Sequence, residues 1–95
     1  MNINDEMVKI TNIFLELGFH YETIGERQYR YLVYNNCYCR ITYLEMFAAF
    51  VIEAANNISD AANGVLEDGD LYFTDIAEDA MLQEIREDVI KYYME

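Results

Sequence analysis

The chain has 95 residues, 54% of them apolar, with eighteen Asp and Glu against six Lys and Arg for a net charge of −12. A single domain of this size buries roughly 60–65% of its unfolded surface, enough for a modest core but not for a deep internal active site. The apolar content excludes a disordered acidic tail, and the charge argues against direct contact with nucleic acid or an anionic membrane.

The charge is unevenly spread. Residues 1–47 hold six acids and four bases, a net of −2, whereas residues 48–95 hold twelve acids against Arg86 and Lys91, a net of −10. Acid gathered in one half makes a field of one sign, which attracts basic partners and speeds their association.

Taken in chain order, residues 4–17 read as a helix. Ile3, Met7, Ile10, Phe14 and Leu17 recur at three- and four-residue steps, Asn4 can cap the start, and Gly18 can end it. Residues 19–24 suit a short strand. Tyr29 to Tyr34 and Cys37 to Thr42 are rich in β-branched and aromatic residues around Asn35-Asn36, which predicts a hairpin. Its register pairs Tyr34 with Cys37, Leu32 with Cys39 and Arg30 with Ile41 on one face, which looks like core. The other face pairs Val33 with Tyr38, Tyr31 with Arg40 and Tyr29 with Thr42. Residues 43–58 fit two readings: Leu44, Phe47, Val51, Ala54, Ala55 and Ile58 make a helical stripe, while Ala48 to Ile52 equally suit a buried strand. The expectation leans to a strand across roughly 48–54, with a short helix after Ser59, its expected cap. Glu67-Asp68-Gly69-Asp70 reads as a turn. Residues 76–94 form a helix capped by Asp75 with Glu78 three residues on. Met81, Leu82, Ile85, Val89 and Tyr92 line its inner face, and Glu87 can pair with Lys91.

The fold expected is one acidic α+β domain over residues 1–95. It has an N-terminal helix, a small antiparallel sheet of three to four strands, a short helix and a C-terminal amphipathic helix.

Motifs that carry chemistry are few. Cys37 and Cys39 share a strand face but supply two ligands where structural zinc takes four, so they read as small core residues. The single histidine, His20, has no recognisable nucleophile beside it. Counted from Asp68, the acid-rich stretch puts Phe73 where a calcium loop needs glycine. There is no phosphate-binding loop and no basic patch. No catalytic residue, metal or cofactor is expected. The start of the chain has no signal-peptide pattern, no stretch approaches a membrane span, and two thiols suit a reducing, cytoplasmic setting.

Binding is the function class left. Glu67, Asp68, Asp70, Glu84, Glu87 and Asp88 are the candidate docking acids for a basic protein. Tyr29, Tyr31 and Tyr38 are the candidate aromatic contacts, since interfaces favour tyrosine.

Read together, Phe50-Val51-Ile52-Glu53, Ser59-Asp60-Ala61-Ala62, Leu66-Glu67-Asp68-Gly69-Asp70-Leu71-Tyr72 and the helix from Met81 to Tyr92 resemble a group of small immunity proteins of bacterial polymorphic toxin systems. Those proteins neutralise a toxin made by the same cell. The resemblance spans about residues 50–92. It implies an α+β domain in the cytoplasm with a protein toxin as partner, and it brings no catalytic residues; the acidity of the chain suits a basic one. The alternative expectation is a phage-type nucleic-acid mimic. Its acids would imitate phosphates and block a DNA- or RNA-binding defence protein, as anti-CRISPR and anti-restriction proteins do.

Overall fold

The computed structural model describes residues 2–94. Its helices are α1 (Ile3–Glu16), α2 (Ile58–Asn63) and α3 (Glu78–Tyr93). Its strands are β1 (His20–Ile24), β2 (Tyr29–Tyr34), β3 (Cys37–Leu44), β4 (Ala49–Ala55) and β5 (Glu67–Phe73). The strands make one antiparallel sheet in chain order, so the α+β class holds, with five strands in place of three to four.

α1 starts one residue earlier than expected, at Ile3. Asn2, not Asn4, is the cap: its side chain accepts from the backbone N–H of Asn4 at 2.9 Å and of Asp5 at 3.4 Å. The stripe itself is as expected, with Ile10 and Phe14 fully buried.

The β2–β3 register matches the sequence reading at Tyr34↔Cys37, Val33↔Tyr38 and Leu32↔Cys39. The expected pairs beyond Leu32 and Cys39 do not form. On its other edge β3 pairs along β4 from Tyr38↔Ala55 to Leu44↔Ala49. The Asn35 turn takes a positive φ of 52°, which Asn tolerates better than most residues.

Successive strand side chains point to opposite faces, so each face buries its own set. On one face Leu32, Cys39, Phe50, Ile52 and Tyr72 pack against Ile10, Ile13 and Phe14 of α1 and Met81, Ile85 and Val89 of α3. α1 and α3 lie side by side and parallel. Lys9, midway along α1, meets Glu78 at the start of α3 at 2.7 Å, and Glu16 at the end of α1 meets Arg86 midway along α3 at 2.5 Å.

The opposite face holds a second core of Ile24, Tyr31, Val33, Tyr38 and Ala55 under Ala61 of α2. The expectation of Tyr31 and Tyr38 as surface contacts is therefore corrected. Tyr31 is 1% exposed and Tyr38 7%, while Tyr29 is half-buried. The Tyr31 hydroxyl donates to the Ala61 carbonyl at 2.7 Å, which lets a phenol sit in a core without an orphaned polar atom. Beyond the reach of α2, Arg40 donates two hydrogen bonds to Glu53, and the Thr42 hydroxyl donates a third. Burial works against charge on Glu53, but these donors outweigh it and hold the carboxyl below its ordinary range.

Three more expectations are revised. α2 is capped by Asn57, whose Oδ1 accepts from Asp60 N–H at 2.8 Å, so Ser59 lies inside the helix. α3 begins at Glu78 with Ala77 before it and no side-chain cap. Glu78 reaches across to Lys9 instead of back to Asp75. Glu67 to Asp70 is not a turn but the first half of β5. Between Val51 and Glu53 the β4–β5 register slips by one residue, and the bulge absorbs Gly69 and Asp70, residues that fit a regular strand poorly.

Glu6 is the one buried charged residue of the described set. It is 2% exposed, and neither carboxylate oxygen has a hydrogen-bond partner. Burial, then the nearby Glu78 carboxylate, raises its pKa. The folded chain thus holds the Glu6 proton more tightly than the unfolded chain. Stability from this group is full below the ordinary carboxyl range and declines as pH climbs through the raised folded value. Glu6→Gln should therefore melt higher than the parent at pH 7, by about 1 kcal/mol, with the gap closing near pH 4, as thermal melts across pH will show. In the second core, Tyr31→Ala should cost about 3–5 kcal/mol by chemical denaturation, the range for deleting a buried aromatic. A cost under 1 kcal/mol would mean that α2 does not seal that face.

Candidate protein-binding groove

β5 is the last strand of the sheet and α3 runs back antiparallel beside it. Two contacts fix their relation. The Tyr72 hydroxyl donates to Asp88 at 2.8 Å, and Gly69 abuts the Tyr93 hydroxyl, where an added Cβ would overlap it. Helical spacing sets Glu84 one turn before Asp88 and Tyr92 one turn after it, on the flank that faces β5. Across from them Glu67, Asp68 and Asp70 stand exposed on the strand. Of the six candidate acids, Asp70 lines one recess beside this strand and Glu67 and Asp68 line another, while Asp88 accepts from Tyr72 and Glu84 stands exposed one turn before it. Glu87 stands apart on the outer surface of α3, where it accepts from Gln83 at 3.0 Å in place of the expected Lys91 pair.

Tyr92 and Tyr93 trade the places that the helical stripe assigns. Tyr92 is 56% exposed, while Tyr93 turns inward against Gly69. They line a recess of 330 Å³ with Gly69, Asp70 and Tyr72. A second recess, 270 Å³, continues past the bulge to Asn56, Asp60, Glu67 and Cys37. Tyr92 and Tyr93 are not legible as a groove wall in the sequence, because the wall exists only once the bulge admits the Tyr93 hydroxyl.

The electrostatics follow from the lining. Burial and then the Asp88 hydrogen bond raise the Tyr72 pKa. Burial and then neighbouring thiols and acids push Tyr93 up to about 12. Both phenols stay neutral at physiological pH, in a field that disfavours any further negative charge. Lys91 Nζ lies 5.2 Å from the Tyr92 ring centre, a cation–π distance. A groove of carboxylates and aromatic rings attracts cationic side chains and repels phosphate.

Cys37 opens onto the second recess, and Cys39 is fully buried behind it with the two sulfurs 3.5 Å apart. The hydrogen bond between the two thiols lowers the Cys37 pKa and, with burial, raises that of Cys39. Among the described residues no set of three or more His, Cys, Asp and Glu could hold a metal ion. His20 sits exposed at the far edge of the sheet, 2.7 Å from Glu22. No helix among the described residues is long and apolar enough to cross a membrane.

Comparisons with family models, curated proteins and solved structures find no match to this chain. The groove's own geometry therefore carries the functional reading. The Gly69 contact that shapes it is testable by a double-mutant cycle. Gly69→Ala should cost about 1–3 kcal/mol in the parent, as overpacking does, and at least about 0.5 kcal/mol less in a Tyr93→Phe background, which frees room for the methyl group. Strict additivity of the two changes would show that the hydroxyl is not what forbids a side chain at position 69.

Proposed function

We propose that the chain is an acidic protein-binding inhibitor, an immunity protein that neutralises a cognate toxin by occupying the toxin's basic surface. One observation carries this reading. All six bases are engaged within the fold, while the acids around the groove are left over. Lys9, Arg40 and Arg86 make ion pairs with Glu78, Glu53 and Glu16. Arg27 donates to the Tyr29 hydroxyl, Arg30 stacks on Tyr21, and Lys91 lies by Tyr92. Among the described residues Glu67, Asp68, Asp70 and Glu84 have no ion-pair partner. Surplus charge of one sign at one place steers an opposite charge toward it, and occlusion then blocks whatever that basic surface does.

In this reading the partner is a basic protein, and neither nucleic acid nor membrane is bound directly. The chain adds no chemistry, metal or cofactor of its own, and it works in the cytoplasm, where an immunity protein meets its toxin.

The test starts with the partner recovered from the native host by pull-down and identified by mass spectrometry. A variant carrying Glu67→Gln, Asp68→Asn, Asp70→Asn, Glu84→Gln, Glu87→Gln and Asp88→Asn should melt at or above the parent temperature, because it relieves self-repulsion. Its association rate should fall at least tenfold at low salt. For the parent, the same rate should drop as salt rises and the screening length shrinks to about 8 Å. Unchanged affinity in the six-acid variant would sink the proposal. A partner from which bound DNA or RNA displaces the chain would move the reading to the nucleic-acid mimic.

A further inference from the structure

β5 ends the sheet, pairing with β4 alone, and five of its seven residues are exposed. One side of a seven-residue strand therefore offers unpaired backbone N–H and C=O groups to a new strand. Alternation then fixes what each side chain of an added strand would meet. Every second one faces the α3 side, where Asp70, Tyr72 and Tyr92 line the 330 Å³ recess. The others face the opposite side, that of Phe73, which pairs with Ala49 and is 45% exposed. Near Phe73 the β3–β4 connection projects Phe47 and Met46, the latter 88% exposed, from a loop held by Ala48 at a φ of +47°. The loop is tied to the end of β5 by the Thr74 N–H and hydroxyl, both donating to the Ala48 carbonyl.

Charge decides which strand this edge accepts. A second copy pairing antiparallel about the middle of β5 would set Asp70 against Asp70 and bring six carboxylates together, which like-charge repulsion opposes. A strand bearing arginines meets the reverse situation. A guanidinium in the recess finds the Asp70 carboxylate and the Tyr92 ring at once, and stacks on such rings more readily than an ammonium does.

Resting on the acidic-inhibitor reading, we infer that the chain captures its basic partner by strand addition: an extended segment alternating Arg with apolar residues pairs with β5, its arginines toward Asp70 and Tyr92 and its apolar side chains toward Phe73 and Phe47.

The probe is a blocked seven-residue peptide alternating Arg and Val, set against a peptide of the same composition with its arginines in one block. Two further versions of the alternating peptide are N-methylated at odd or at even amides. Binding is read by calorimetry, and strand addition by hydrogen exchange of the amides of residues 67–73. The alternating peptide should bind at least tenfold more tightly than the block peptide and slow exchange along β5. One N-methylated version should lose binding and the other keep it, since only alternate amides face the edge. Asp70→Asn and Tyr92→Ala, both at exposed side chains, should each weaken the alternating peptide about tenfold without lowering the melting temperature.

Equal binding of alternating and block peptides, or retention by both N-methylated versions, would overturn strand addition while leaving the acidic docking face intact. Loss of partner binding in the six-acid variant, with no peptide binding to the parent, has the same meaning. Protection of β5 in the free protein that grows with concentration would show a second copy on the edge, and would also overturn it.

Discussion

β4 is the strand on which both layers are built. Phe50 and Ile52 face α1 and α3, Ala49 and Val51 face the other way, and all four are at most 2% exposed. A strand buried on both faces must pair on both sides to satisfy its backbone, and β3 and β5 supply those ladders. β5 is thus obliged to be a strand by what β4 needs, not by its own residues. The only charge on β4, Glu53, falls on the part of the sheet that α2 leaves open, where Arg40 and Thr42 can meet it.

The same division governs the charges. A domain this small has room for one complete core and one partial one, so α2, six residues long, seals only the region of Tyr31, Val33 and Tyr38. Its acids must then stay on edges and outer helix faces, and each base is drawn into a pair or an aromatic stack near its own position. Glu6 is the exception. It is an acid carried into the α1 seam by its place on the helix, between Ile3 and Ile10, and it is left without a donor. Glu6 and Glu53 show that burial alone does not fix a carboxylate's state. Donors lower Glu53 against the pull of its burial, whereas burial and the neighbouring Glu78, unopposed by any donor, raise Glu6.

Much of this was legible in the residues, and the misses share a cause. Helical stripes such as Ile10 to Phe14 and Ile85 to Val89 depend on local spacing, and so does the Asn35 turn. Those features were readable. The fate of a tyrosine depends on what lies above it. Tyr31 and Tyr38 alternate like a solvated face, and only the return of α2 from beyond β4 covers them. Glu67-Asp68-Gly69-Asp70 has the composition of a turn, and only the ladder to β4, with a bulge that hides its period, makes it a strand. Tyr92 and Tyr93 differ by one helical step, and the bulge selects which of them turns inward. The acids of the groove were legible as residues but not as neighbours, since Asp70 and Tyr92 are brought together by the Tyr72–Asp88 hydrogen bond.

The two edges of the sheet make the functional asymmetry plain. An exposed strand edge invites pairing with any other chain, and proteins guard it with charge or distortion. β1 is guarded by groups that satisfy one another: His20 lies against Glu22, and Tyr21 is stacked under the guanidinium of Arg30 at 3.9 Å. β5 carries the distortion of its bulge and three acids of one sign with no cation among them. Mixed charge closes an edge to all comers, whereas charge of a single sign closes it to copies of itself and to acidic chains and leaves it open to basic ones. A guard of that kind is selective by sign. It coincides here with a strand that has a recess lined by Asp70 and Tyr92 on one side and carries the exposed ring of Phe73 on the other.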